Sequence, residues 1–280
     1  MHIPSHWTRG TATIRLPDGR EFPLTVWGWA NDKAAAQRIA AERLQRVQDR
    51  FRSGDWPDWY AYGSRPLREE ILQTFHADGA AEPVAIVTRN GYGTQVLNTS
   101  SLLFLDIDRP LPTLRQRLPR WLGGKPAPTG EEILFRLRRA LEAHAPTTFR
   151  IYQTAWGWRV AAVDREFNPT SDSTQSLMRA TDTDPYYMRL CQVQQSFRAR
   201  LTPKPWRCHV APPTSQYPRT DEQAQRQFAA WLRDYEQKTT GHATCRYLET
   251  VGTSKPNSTL ASLLELHDTV TRSHEPLPLA

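Results

Sequence analysis

The chain has 280 residues, of which 39% are hydrophobic and 23% charged, and carries a formal net charge of +7. That apolar fraction excludes global disorder, and the length suits one large folding unit or two small ones. No apolar run approaches the ~20 residues of a membrane span, and the stretch from Met1 to Gly10 lacks the apolar segment of a signal peptide.

Lys and Arg number 36 against 29 Asp and Glu, and arginine predominates among the cations. The planar guanidinium matches phosphate and stacks on bases, so this bias favours a polyanionic partner. Cys191, Cys208 and Cys245 are widely spaced and odd in number, which leaves neither a disulfide framework nor a CxxC metal knuckle. A reducing compartment follows, and a cytoplasmic protein is expected.

In chain order, Thr11 to Trp29 alternates apolar and polar residues about Pro17-Asp18-Gly19, the pattern of a two-strand hairpin. Asn31 is the expected cap of a helix over 32–51 that ends at Ser53-Gly54. A connector holding Trp56, Trp59, Tyr60 and Tyr62 reads as packing, and Ser64-Arg65-Pro66 opens an expected short second helix. Strands over 84–87 and 95–97 bracket the turn Asn90-Gly91-Tyr92-Gly93, which would present Arg89 and Tyr92.

From Leu102 onward the pattern gives a buried strand over 102–108, a proline-rich connection over 110–128 and an amphipathic helix over 130–144. A hairpin follows over 149–163, then an acid- and hydroxyl-rich loop to Asp184, a helix opened by Pro185 and a strand near 197–201. The segment 203–218 is a proline-rich crossing. A helix over 221–238, a strand over 244–250, a helix over 260–270 and a frayed tail complete the chain. The fold class is therefore α+β, with an N-terminal α/β unit over 1–82, a core over 83–272 and a flexible tail over 273–280.

Leu102-Leu103-Phe104-Leu105-Asp106-Ile107-Asp108 is the most informative stretch. Side chains alternate across a strand, so Asp106 and Asp108 point the same way, about 6.6 Å apart along the backbone, within reach of shared divalent ions. Two like charges on one face repel, and Mg²⁺ or Mn²⁺ would relieve that. Strand, helix, hairpin, helix and strand make a β-α-β-β-α-β unit, the ferredoxin-like or RNA-recognition-motif-like core. First and last strands are neighbours in that topology, which makes Glu249 the expected third carboxylate and Asp164 its competitor.

Here the chain resembles the archaeo-eukaryotic primase superfamily, the primase-polymerases, over residues 84–250. Phe104-Leu105-Asp106-Ile107-Asp108 matches the family's hhhDhD motif, and Leu248-Glu249 matches its hydrophobic-carboxylate motif. The second motif has a partial counterpart in residues 152–159, with Arg159 standing where the family has a His. The resemblance implies a two-metal nucleotidyltransferase in which Asp106, Asp108 and Glu249 hold Mg²⁺ or Mn²⁺.

Cations surround this constellation. Arg198 and Arg200 share one strand face, as do Arg150 and Tyr152, and with Arg89, Arg159, Lys204 and Arg207 they form the expected phosphate and nucleic-acid contacts. Trp206, between two cations, is placed to stack on a base. The partners expected are DNA or RNA and nucleotides. The alternative is a non-catalytic RNA- or DNA-binding protein that uses Tyr152 and Trp158 as a stacking platform. A dehalogenase-like phosphatase lacks its later double-aspartate motif, and the His267-Asp268 doublet lacks the upstream ligands of a metal phosphohydrolase.

Overall fold

The strands β1 (His6–Arg15) and β2 (Glu21–Ala30) pair antiparallel, from His6 opposite Ala30 to Arg15 opposite Glu21. A Cβ on Gly28 would come within 2.2 Å of the Ala36 carbonyl oxygen, so helix α1 (Lys33–Arg52) lies directly on this hairpin's backbone. The cap of α1 is Asp32 rather than Asn31: its carboxylate accepts the Ala35 N–H at 2.7 Å. This computed structural model describes residues 1, 3–15, 19–53, 66–77, 79–110 and 127–280. The Pro17-Asp18 turn, the connector of Trp56, Trp59, Tyr60 and Tyr62, the Ser64-Arg65 start and most of the 110–128 connection lie outside the described residues.

Past Pro66 the expected helix is instead strand β3 (Glu70–His76), paired antiparallel with β4 (Pro83–Arg89). Long-range pairing overrides local propensity here, since Ile71, Thr74 and Phe75 fit a strand equally well. Glu70 is then held by Arg219 at 3.0 Å and Arg89 at 3.8 Å. Strands β5 (Gln95–Thr99) and, much later, β9 (Phe197–Arg200) complete an antiparallel sheet ordered β3-β4-β5-β9. The β3–β4 pairing crosses residues 82/83, so this sheet draws strands from both sides of the expected boundary.

The second four-stranded sheet is built from β6 (Phe104–Asp108), β7 (Phe149–Thr154), β8 (Gly157–Ala162) and β10 (Cys245–Val251), in the order β10-β7-β8-β6. The first and last strands therefore occupy opposite edges, not neighbouring positions. Helix α2 (Gly130–Glu142) opens with a Thr129/Glu132 capping box and turns Ile133, Leu137 and Leu141 onto one sheet face. Helix α3 (Asp172–Ala180), capped by Ser171, occupies part of the stretch read as loop. Its short run of polar residues hides the buried Leu177 and Met178.

Helix α4 (Pro185–Gln194), a 3₁₀ turn (Pro205–Cys208), helix α5 (Glu222–Thr239) and helix α6 (Ser258–Thr271) complete the elements. Helix α6 covers the sheet face opposite α2, with the His267 ring 5.2 Å from Phe104 and 4.9 Å from Tyr152. The tail expected to be flexible is packed: Ala243 N–H donates to the Pro278 carbonyl at 2.9 Å, and Ala280 is 2% exposed. One buried cluster that includes Leu97, Phe104, Ile151, Val160 and Phe197 spans both sheets. Tyr187 of α4 ties their edges together, donating to the Phe104 carbonyl at 3.0 Å and accepting the Arg198 N–H at 3.2 Å. Cys191, Cys208 and Cys245 are free and buried. Among the described residues, no helix is long and apolar enough to cross a membrane.

Candidate functional site between the two sheets

Strand β6 buries Leu105 and Ile107 on the face toward α2 and turns Asp106 and Asp108 to the other, as strand alternation requires. Asp106 stands opposite Arg159 of β8, and Asp108 opposite Gly157. A Cβ on Gly157 would meet the Ile107 carbonyl oxygen at 2.1 Å, so glycine there lets β8 approach the aspartate-bearing edge. Among the described residues, neither aspartate has an ion-pair partner within 4.0 Å. Burial, and then the charges of Asp106 and Asp184, raise the Asp108 carboxyl above its ordinary value, against the pull of Lys204 and Arg200.

Asp184, where the sequence pattern ends an acid- and hydroxyl-rich loop, is the N-cap of α4. Its backbone N–H donates to the Asp106 carbonyl at 2.9 Å, while its carboxylate caps α4 through the Tyr186 N–H at 3.1 Å. The Asp-Pro helix start was visible in the sequence; the long-range bond to β6 has no local signal.

Opposing these acids is a set of guanidinium groups. Arg159, 4% exposed, donates from Nη1 to the Arg200 carbonyl at 2.8 Å and to His267 Nε2 at 3.0 Å. A guanidinium only donates, so Nε2 must accept and the imidazole proton sits on Nδ1, facing Asp268 Oδ1 at 2.9 Å. Asp268 Oδ2 in turn receives Arg150 Nη1 at 2.8 Å. Burial alone would raise the Asp268 carboxyl; the His267 hydrogen bond and the Arg150 charge outweigh it and hold the group below its ordinary value. The signal for His267 was available: with Leu260, Leu263, Leu264 and Thr271 it lies on the buried stripe of α6.

Arg200 is the most demanding group in the site. Its Nε is fully buried and has no hydrogen-bond partner among the described residues. Burial, followed by the neighbouring Arg159 charge, pushes its pKa down to about 10, although Asp106 pulls the other way. Lys204 is likewise lowered by burial, then by Arg200 and Arg207. Arg200 borders a cavity of about 340 Å³ between the sheets, lined also by Asp106, Arg159, Arg198, Tyr92 and Tyr187.

The structure brings together Asp106, Asp108, Arg159, Arg200, Lys204 and Arg207, and disperses the other expected site residues. Glu249 lies on β10 at the far edge, where it pairs with Arg138 of α2 at 2.6 Å, so it does not join Asp106 and Asp108. Asp164 accepts the Thr148 N–H at 3.1 Å and pairs with Arg165. Arg89 is buried beneath Phe228, its Nη1 on the Gly93 carbonyl at 2.9 Å. Arg198 lines the cavity but is neutralised by Glu69 at 2.7 Å.

Arg150 belongs to the Asp268 pair, at a separate cavity of about 450 Å³ beside α6. Tyr152 is fully buried between Tyr247 and His267, and Trp158 is 3% exposed, so neither ring can serve as a base-stacking platform. The helix α6 that buries Tyr152 carries no sequence mark announcing which face it covers.

The cavity thus sets Asp106 beside Arg159 and Arg200, with no ion pair joining them among the described residues. Its donor set fits a divalent ion that arrives with polyphosphate oxygens, since Mg²⁺ typically takes one or two carboxylates plus substrate phosphates. A cage made by protein alone is absent: among the described residues, no three His, Cys, Asp or Glu groups are arranged to hold a metal. Comparison of the chain with family models, with curated proteins and with solved structures finds no match.

Proposed function

We propose that the chain is a metal-dependent nucleotidyltransferase of primase-polymerase type, acting on nucleotides and on DNA or RNA. The observation that carries this reading is the coexistence, in one cleft, of Asp106 and Asp108 without ion-pair partners among the described residues and Arg200 with a buried Nε that none of them satisfies. In a structural network the half-buried Asp106 and Arg200 would close into an ion pair, because a charge drawn partly out of water without a partner is costly. Both sets are left open for a ligand bearing both signs, and a metal-bound polyphosphate is such a ligand.

Asp106 and Asp108 would hold Mg²⁺ or Mn²⁺, which when bound would neutralise phosphate charge and lower the pKa of an attacking hydroxyl. Arg200 and Arg159 would clamp nonbridging phosphate oxygens, with Lys204 and Arg207 at the rim. Arg159 arrives pre-oriented, because His267 and the Arg200 carbonyl fix its plane. The strand succession β6-α2-β7-β8, followed after further elements by β10, matches the element order of an RNA-recognition-motif-like core, whereas the sheet order β10-β7-β8-β6 departs from it by setting β10 beside β7 and not beside β6. Asp184 replaces Glu249 as the third acid near the pair, acting on Asp108 through its charge.

The test is incorporation of labelled nucleotides on a primer-template with Mg²⁺ or Mn²⁺. Wild type is expected to give metal-dependent product and Asp106→Ala/Asp108→Ala none. Equal product from both proteins, or none from either, refutes the proposal.

A further inference from the structure

Tyr92 and Trp206 are 55% and 45% exposed, yet they are not loose surface rings. Their centroids lie 5.2 Å apart with ring planes at 83°, forming a right-angled step. Each is carried on a braced turn. Asn90 accepts the Tyr92 and Thr94 N–H groups at 3.0 and 3.1 Å, and Gly93 adopts φ +85° with the Trp231 ring filling the space a Cβ would need. Trp206 sits in the 3₁₀ turn that Pro205 opens, closed by the Val210 N–H on the Pro205 carbonyl at 3.0 Å.

Two large rings held exposed and rigid lose little freedom when a planar group docks on them. Charge says which planar group. Lys204 Nζ lies 5.5 Å from the Trp206 centroid, and Arg207 follows Trp206 directly. Tyr92 lines the same cavity as Asp106, Arg159 and Arg200. A ligand seated in the cavity meets Tyr92, against which Trp206 is set edge-on from outside the lining, and the guanidinium groups of Arg159 and Arg200, which matches a nucleobase joined to a polyphosphate.

Resting on the phosphate reading above, we propose that Tyr92 and Trp206 form the nucleobase seat of this cavity, so that its ligand is a nucleoside polyphosphate and not polyphosphate alone. Stacking is tolerant of base identity, and discrimination therefore falls between ligands with and without a base.

Calorimetric titration of ATP and of inorganic tripolyphosphate, each with Mg²⁺, tests this on wild type and on Tyr92→Ala/Trp206→Ala. Wild type is expected to favour ATP by about tenfold or more. The alanine variant should bind the two ligands equally, with tripolyphosphate affinity as in wild type, and Tyr92→Phe/Trp206→Phe should restore the preference. A wild type that does not distinguish the ligands, or an alanine variant that keeps the preference, overturns the base seat and leaves the phosphate reading standing. Failure of wild type to bind either ligand overturns both.

Discussion

Arg159 and His267 meet on the α6 side of the core sheet, guanidinium Nη1 3.0 Å from imidazole Nε2, and this contact links the cavity to a buried chain of polar groups. The chain runs through Asp268 to Arg150, each member fixing the next. Asp268 is its keystone electrostatically, because its lowered pKa means the folded protein favours the ionised carboxylate. That contribution is present above the ordinary carboxylate pKa and is lost as pH falls through the lowered folded value. Asp268→Asn should destabilise the protein by ~2–4 kcal/mol at neutral pH, since it leaves Arg150 and His267 poorly matched. Urea unfolding across pH should show the gap to wild type narrowing below the ordinary carboxylate range.

Asp108 gives the opposite sign. Its raised pKa means the folded state binds that proton more tightly than the unfolded state, so stability is lost as pH rises through the folded value. Asp108→Asn should therefore melt about 1–3 °C higher than wild type at neutral pH. The advantage should disappear below the unfolded carboxylate pKa. Added Mn²⁺ with a triphosphate should raise the melting temperature of wild type and not that of the variant. Scanning calorimetry at two pH values checks both halves.

Arg200 separates a binding role from a structural one. Its Nε has no hydrogen-bond partner among the described residues and its charge opposes that of Arg159, so Arg200→Met keeps the apolar stem while removing that charge. The melting temperature should hold or rise, and tripolyphosphate affinity should fall by about tenfold to a hundredfold, as expected for a lost charge-assisted contact. A large loss of stability would instead mark Arg200 as a structural element.

Gly157 sets the spacing of the acid-bearing edge. Gly157→Ala would drive a methyl group into the Ile107 carbonyl, 2.1 Å from the ideal Cβ position. Separation of β8 from β6 should cost ~1–3 kcal/mol. It should also weaken Mn²⁺ binding in the presence of nucleotide, because Asp108 shifts with its partner strand. Chemical denaturation and a metal titration on the same protein measure the two effects.

Local pattern made much of this fold readable. The alternation around Asp106, the Pro185 helix start and the amphipathic faces of α2 and α5 all emerge from nearest-neighbour spacing, and the structure contains those elements with ends shifted by a few residues. What escaped was set by long-range pairing. The segment after Pro66 is a strand because β4 is available to it, and Glu249 sits far from Asp106 because β10 adds beside β7 and not beside β6. Sequence spacing carries no term for strand order. The site shows the same division: Asp106 and Asp108 announce themselves through the two-residue repeat, while Asp184 and His267 become part of it only after α4 and α6 dock. Tyr152 and Trp158 illustrate the converse, since their aromatic character suggested a platform and the packing of both sheet faces removed it.

The proposed activity requires that Asp106 and Asp108 hold a divalent ion together with a bound triphosphate. Titration of Mn²⁺ followed by its paramagnetic resonance signal, with and without a nucleoside triphosphate, tests this most directly. Wild type should take up Mn²⁺ tightly when the triphosphate is present and weakly alone, and Asp106→Ala/Asp108→Ala should lose the nucleotide-dependent uptake. Uptake unchanged in the double variant, or no uptake by wild type at any triphosphate concentration, would contradict it.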